Sequence, residues 1–397
     1  MKQMLEGIRV LDFSTTPAGA QTGGMLADFG AEVIKIEAPD GGDPCRKLSP
    51  FMHGVSLMHC FYNRGKKSVT LDLNNAAHRE VVKKMAADAD VVLESFDPGR
   101  MKEWGLDYEA VSAINPSVVY CSVTTFGQKG PYAGKKGNDL IAQALSGIMH
   151  ITGDPASLPL KHGTPMADLA GAENAYALIL GALAERLSSG KGQYIDAATM
   201  RMCIVLNSAV DRVNFNIYSN REGNHHPTLS PFGLFMGKDS GVIITALNAK
   251  LWNALCDAMG KPELKEDPQF KELSSRVENR QLVASVIEDW LKTFDNLQDA
   301  IDLIDKAGVP CCQVYTVKDV VTDPHYTSPE VGWFTYVEAP ESLKKQGVEK
   351  LFTHSTNAKF YQNPGQIKQA PDLGQYNEEV LSRYGMSSGE ISQLISC

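Results

Sequence analysis

The chain has 397 residues, 43% hydrophobic and 21% charged, an ordinary globular composition that excludes a disordered or fibrous protein. Its formal net charge of -9 excludes the broad basic surface that binds nucleic acid without sequence preference. At this length two domains are expected rather than one.

In chain order, Ile8 to Phe13 reads as a strand, and the Gly/Ala-rich stretch Ala18 to Gly30 as a helix with close packing. Ala31 to Glu37 and Lys67 to Leu73 are strands, Ala76 to Ala87 a helix, and Asp90 to Phe96 and Val118 to Thr125 further strands. This alternation predicts an α/β fold, a doubly wound, mostly parallel sheet covered on both faces. Helices are expected over Asn138 to Met149, over Ala167 to Ser189 with a stop at Gly190, and from Met200 to Ile217; Gln193 to Ala197 adds a strand. The polar stretch Arg221 to Pro227 is the predicted boundary of a second, α+β domain. That domain holds a hairpin, Gly233 to Met236 and Gly241 to Leu247, and helices at Ala249 to Met259 and Arg280 to Phe294. From about Asp323 come short strand-like pieces and helical patterns at Leu373 to Tyr384 and Gly389 to Ile395. The domain assignment is therefore 1–220, 221–322 and a C-terminal segment 323–397.

No run approaches the roughly 20 apolar residues of a membrane span, and Met1 to Val10 holds no signal-like stretch, so a cytoplasmic protein without a membrane partner is expected. Cys45, Cys60, Cys121, Cys203, Cys256, Cys311, Cys312 and Cys397 lack C-x-x-C spacing and are read as reduced, mostly buried thiols. The histidines show no H-x-x-x-H spacing, and His225-His226 beside Pro227 reads as a solvated turn, so no metal is expected. The Walker pattern, G-x-G-x-x-G and G-x-S-x-G are absent, which argues against a nucleoside triphosphate, a dinucleotide and a serine nucleophile.

Carboxylates remain, and Asp168 opens a long apolar helix directly after the loop Lys161 to Ala167. The ordinary reading of an acid there is a cap for the helix N–H groups, and the same geometry would suit an ionised reactant beside donors able to hold an oxyanion. Spacing alone leaves both readings open.

The segment Met166-Ala-Asp-Leu-Ala-Gly-Ala172 with the later Ser189-Gly-Lys-Gly-Gln-Tyr-Ile-Asp196 resembles the catalytic region of the class III coenzyme A transferases. Ile8 to Phe13, Leu26 to Glu37, Gly127 to Tyr132, Asp139 to Gly147, Ala307 to Pro310 and Pro364 to Ile367 look like that family's further hallmarks, in the right order over essentially the whole chain. The resemblance implies a Rossmann-like large domain built from both chain ends, a smaller central domain, and an interlocked homodimer. It also implies transfer of CoA from an acyl-CoA donor to a carboxylic acid acceptor through mixed anhydrides and a CoA thioester on Asp168. CoA and acyl-CoA are then substrates, and no tightly bound cofactor is expected.

Carried over residue by residue, the resemblance puts CoA contacts at Thr16, Pro17, Ala18, Leu71, Ser95, Phe96 and Lys136, and a second catalytic acid at Asp139. Asp139 also has the ordinary reading of a helix N-cap. Phe96 would stack on adenine, and Ser95 replaces an asparagine of the formyl-CoA branch. Pro17 replaces that branch's glutamine and has neither its amide nor a backbone donor, which speaks against formate and oxalate. Ala38, Asn74 and Glu103 replace basic residues, so phosphate neutralisation falls to nearby cations, among Arg46, Arg64, Arg100 and Lys102.

Two rival readings are weaker. An α-methylacyl-CoA racemase of the same superfamily needs a His before its acid, whereas this chain has Gly137-Asn138-Asp139, and neutral Asn is no general base. A catalytically silent CoA-binding protein would not be expected to keep Asp168 in its full context. The loop Gly223 to Phe235, with apolar His226 to Phe232, is expected to shape specificity toward a medium-sized, partly hydrophobic acyl group.

Overall fold

The computed structural model describes residues 3–395. Two compact units emerge: one of Met1–Ile148, Lys161–Asn214 and Thr327–Cys397, the other of Met149–Leu160 and Phe215–Tyr326.

The first unit is organised by a six-stranded sheet of β1 (Arg9–Phe13), β2 (Glu32–Glu37), β3 (Lys67–Thr70), β4 (Val91–Glu94), β5 (Val119–Thr124) and β6 (Gln193–Ala198). The spatial order is β3-β2-β1-β4-β5-β6 and every pairing is parallel, with Val10 opposite Val33 on one side and Val91 on the other. This is the doubly wound Rossmann order, whose crevice opens where the winding reverses, between β1 and β4. One face carries Leu11, Phe13, Ile34, Val69, Val92 and Tyr120; the other carries Val10, Val33, Val91, Val119 and Ile195. Both faces are buried because helices cover both, hence the near-continuous apolar strands.

Helix α1 (Pro17–Asp28) starts with Pro at its first position, and the Thr16 hydroxyl accepts the Gly19 N–H at 3.4 Å. Its glycines let it lie on the strands: a Cβ on Gly19 would stand 2.6 Å from Ser14 Cβ, and one on Gly23 2.7 Å from Asp12 Oδ2. The close packing expected of this segment is thus required by its neighbours.

Two expected helices are shorter than the sequence suggests. Helix α2 is Ala76–Ala87 as read, but α3 (Asp139–Leu145) stops before Gly147, which has φ +80°, and a separate turn, Ile148–Ile151, follows. Helix α4 (Met166–Ser189) ends at Gly190 with φ +69°. Helix α5 (Thr199–Leu206) does not continue to Ile217, because Asn207 leaves the helix: its amide donates to Ser146 O at 3.0 Å and its carbonyl oxygen takes the Ala209 N–H at 3.2 Å.

The C-terminal segment returns to the first unit and closes the β3 edge. Tyr376 N–H donates to Ser68 O at 3.0 Å, and Asn377 exchanges two hydrogen bonds with Thr70, at 2.8 and 2.7 Å. The pattern read over Leu373 to Tyr384 forms only the short helix Asn377–Leu381 and one 3-10 turn.

In the second unit β7 (Phe232–Met236), β8 (Gly241–Thr245) and the unforeseen short strand β9 (Cys311–Gln313) form an antiparallel sheet in the order β9-β8-β7. It packs on Trp252, Leu255, Ile287, Leu291 and Ile304. Met149–Leu160, placed in the first domain by the sequence reading, clusters here instead. Arg221 donates to His150 O at 3.0 Å and Asp154 O at 3.3 Å, and Gly223 N–H to Gly153 O at 3.0 Å.

The seven described cysteines are free, four of them buried, and Cys397 lies outside the described residues. Among the described residues no helix is long and apolar enough to cross a membrane.

Candidate active site

At the switch point the turns after β1 and β4 are tied together. Ser95 Oγ accepts the N–H groups of Thr15 at 2.8 Å and Thr16 at 3.1 Å, so this hydroxyl fixes the turn that starts α1. Before it, the Glu94 carboxylate takes the Phe96 N–H at 2.7 Å. Glu94 has no ion pair among the described residues, and burial, with Asp196 adding to it, pushes its carboxyl up to about 7. Phe96 meets Trp104 edge to face, centroids 5.1 Å apart. Leu71, Phe96, Trp104, Asn74 and Thr15 line one cavity of about 140 Å³. Arg100 lies 4.3 Å over the Trp104 ring and pairs with Glu103 at 2.6 Å.

Of the residues expected to meet CoA, the structure therefore gathers Thr16, Ser95, Leu71, Phe96 and Arg100 around this crevice. Pro17 and Ala18 form the first turn of α1, with Ala18 buried. Lys136 is exposed and paired with Asp97. Two cations offered as substitutes for missing phosphate contacts are committed elsewhere. Arg46 forks onto Glu37 with two bonds of 2.7 Å, and Arg64 is buried against Asp28 at 2.6 Å. Their carboxylate partners hold them inward, which the sequence does not reveal.

The two carboxylates singled out in the sequence meet at the start of α4. Asn138, not Asp139, caps α3, accepting the Ile141 N–H at 3.1 Å. Asp139 reaches across to the next helix, where its Oδ1 accepts the N–H of Ala167 at 2.7 Å and of Asp168 at 3.2 Å. Pro165, at the N-cap of α4, offers no side-chain acceptor, so Asp139 supplies the cap. Its other oxygen takes the Gln143 amide at 2.7 Å, and Gln143 Oε1 takes the His162 N–H at 2.9 Å. Gln143, one turn after Asp139, escaped the sequence reading; its i, i+4 spacing is the signal that could have found it.

Asp168 is thereby relieved of capping. Its carboxylate has no hydrogen-bond or ion-pair partner among the described residues, and burial, reinforced by the Asp139 charge, pushes it up to about 7. Beneath it, a Cβ on Gly171 would stand 2.6 Å from Thr199 Cγ2, so α4 sits tightly on the start of α5. The pair thus comprises one carboxylate engaged with backbone and amide donors and one, raised by burial, left open to react.

Comparison with known proteins identifies the family. Residues 5–377 match CoA-transferase family III. The acetyl-CoA:oxalate CoA-transferase of Acetobacter aceti is 36% identical over 96% of both chains, and the succinate–glutarate CoA-transferase of Agrobacterium fabrum 32% identical over 96% of both. Among solved structures, a CAIB/BAIF family protein from Brucella suis superposes with TM-score 0.85 at 32% identity, covering 97% of this chain and 100% of its own. The chain belongs to CoA-transferase family III. It is a CoA-transferase working between an acyl-CoA and a carboxylic acid.

Proposed function

We propose that Asp168 is the nucleophile of this transfer, and that the observation carrying the proposal is its uncompensated, partly buried carboxylate at the start of α4. The Asp168 carboxylate attacks the acyl-CoA thioester carbonyl, forming a mixed anhydride and releasing CoA thiolate. The thiolate attacks the aspartyl carbonyl, expelling the acyl group as a free carboxylate and leaving an aspartyl-CoA thioester. The acceptor carboxylate then attacks that thioester, again releasing thiolate and forming a second anhydride. Attack of the thiolate on the acceptor's acyl carbon gives the new acyl-CoA and restores Asp168. Each step exchanges one acyl bond for another, so thioester energy is conserved as long as water is kept out. A carboxylate held near pKa 7 is more basic, and so a stronger nucleophile, than an ordinary one.

Asp139 holds the start of α4 and keeps Asp168 basic. The nucleotide end of CoA is assigned to the crevice of Thr16, Pro17, Ala18, Leu71, Ser95 and Phe96, with Arg100 and Lys136 as phosphate contacts. The relatives' names support short dicarboxylic acids as acyl carriers, with succinyl-CoA the first donor to try. A homodimer is supported by large apolar side chains left exposed on one chain, among them Leu145, Val205, Phe215 and Leu187, and the enzyme is assigned to the cytoplasm.

The test is intact-mass analysis after incubation with succinyl-CoA, formyl-CoA and a branched medium-chain acyl-CoA without acceptor. An added mass of CoA less water, mapped to Asp168 and absent from Asp168→Asn, is the expected result. Transfer activity without any such adduct on Asp168 would overturn the reading.

A further inference from the structure

Gln143 lies one turn after Asp139 on α3; it is only 1% exposed, and both ends of its amide are used. The His162 main-chain N–H can only donate, so the amide oxygen of Gln143 must face it, at 2.9 Å. The amide nitrogen then points the other way and donates to Asp139 Oδ2 at 2.7 Å. Because that nitrogen can only donate, Oδ2 is an acceptor. Asp139 Oδ1 is one already, for the Ala167 and Asp168 N–H groups at 2.7 and 3.2 Å. Neither oxygen of Asp139 is left to carry a proton, so a proton taken up by the pair of acids goes to Asp168.

The same amide reaches the loop that leads into α4. His162 Nδ1 accepts the Thr164 N–H at 3.3 Å, Thr164 O accepts the Met166 N–H at 2.8 Å, and Met166 opens α4 two residues before Asp168. Gln143 therefore holds both supports of the helix start: the acid that caps it and the loop that enters it. The chemistry of the position is specific. An ionised Glu would offer acceptors only, and Leu or Met neither donor nor acceptor, leaving buried polar groups without partners.

We infer that Gln143 is a positioning residue for acyl transfer, an inference that rests on Asp168 being the nucleophile: its amide fixes Asp139 as an acceptor-only carboxylate, ties that acid to the loop before α4, and so holds Asp168 in its aim with its own carboxylate free of capping. No bond to Gln143 forms or breaks, and it meets neither CoA nor the acyl group.

Gln143→Met keeps the volume and removes both hydrogen bonds. The expected result is a fall in kcat of about 10- to 100-fold, with KM for the acyl-CoA changed less than about 2-fold, since the crevice assigned to CoA is untouched. Gln143→Glu decides the matter if Met is not accepted in the buried site. A protonated Glu still donates to Asp139 and accepts from His162, whereas an ionised one cannot donate. The ratio of its kcat to that of the wild type should therefore fall about 10-fold or more between about pH 6 and pH 9. Tyr62 and Cys203, the other ionisable groups facing the two acids and both raised by burial, are present in the wild type as well, so the ratio cancels them. Wild-type kcat in Gln143→Met, or a low Gln143→Glu ratio that does not change with pH, overturns the inference. Asp168→Asn run in parallel separates the two ideas: if it still transfers CoA, the nucleophile reading falls; if it is inactive while Gln143→Met turns over as wild type, only the role of Gln143 falls.

Discussion

Two groups of buried acids in the first unit are treated in opposite ways. Beneath α1, Asp12 and Asp43 meet two buried lysines: Lys66 pairs with Asp12 at 2.7 Å and Lys35 with Asp43 at 2.7 Å, while Glu37 nearby is forked by Arg46. Burial alone would raise these acids, yet Lys35 beside Asp43 and Arg46 beside Glu37 override it and hold both carboxyls below the usual range. At the start of α4 no cation approaches Asp168 or Asp139 among the described residues, and Asp168 rises to about 7. The first group secures the loops that shape the sheet's carboxyl edge. The second keeps a charge that is costly to form and therefore reactive.

Removing the uncompensated acid should have the largest effect on activity and the opposite effect on stability. Asp168→Asn is expected to lower CoA transfer by roughly 10⁴-fold or more in steady-state assays. Because the folded protein holds the Asp168 proton up to about 7 and the unfolded chain releases it near 3.8, ionisation across that window costs stability, fully so above it. The variant should therefore melt a few degrees higher than wild type at pH 8 and equally at pH 4, as scanning calorimetry would show.

Breaking the compensated group should do the reverse. Lys66→Met leaves Asp12 short of its nearest cation and is expected to cost about 3–5 kcal/mol in urea unfolding. The lowered carboxyls of Glu37 and Asp43 contribute stability above the ordinary carboxylate pKa, and this is lost as pH falls below it. Acid should thus unfold the protein through this cluster while relieving Asp168.

Smaller effects sharpen the contrast. Ser95→Ala removes the acceptor shared by Thr15 and Thr16 and should raise KM for acyl-CoA about 5-fold with kcat little changed, an effect of about 1 kcal/mol in all. Asp139→Asn keeps an acceptor for the α4 N–H groups but removes the like charge. The wild-type kcat/KM should rise with pH through about 7, and in this variant the rise should begin at lower pH. An unmoved limb would show that burial alone sets the basicity of Asp168.

The periodicity of the chain was enough for the alternating strands of the first unit, since apolar runs such as Val91–Glu94 and Val119–Thr124 are bounded by turn residues. It overran α3 and α5, because Gly147 and Asn207 end them through a left-handed turn and a side-chain bond to a distant carbonyl. In the site, Asp168 and Asp139 were both visible from the family's motifs. Which of the two caps α4 was not, because the capping acid comes from 29 residues away. Glu94 and Gln143 have no motif; they matter only through neighbours brought by folding.

What the sequence determined by itself is the doubly wound α/β class, the family, and the identity of the carboxylate at the head of α4. These are carried by local patterns: strand and helix periods, turn residues, and motif segments in fixed order. The tertiary structure alone decided that Asp139 frees Asp168 from capping and that Arg46 and Arg64 are bound to buried acids. Those outcomes depend on burial and on charges from remote segments, and burial is a property of the packed chain.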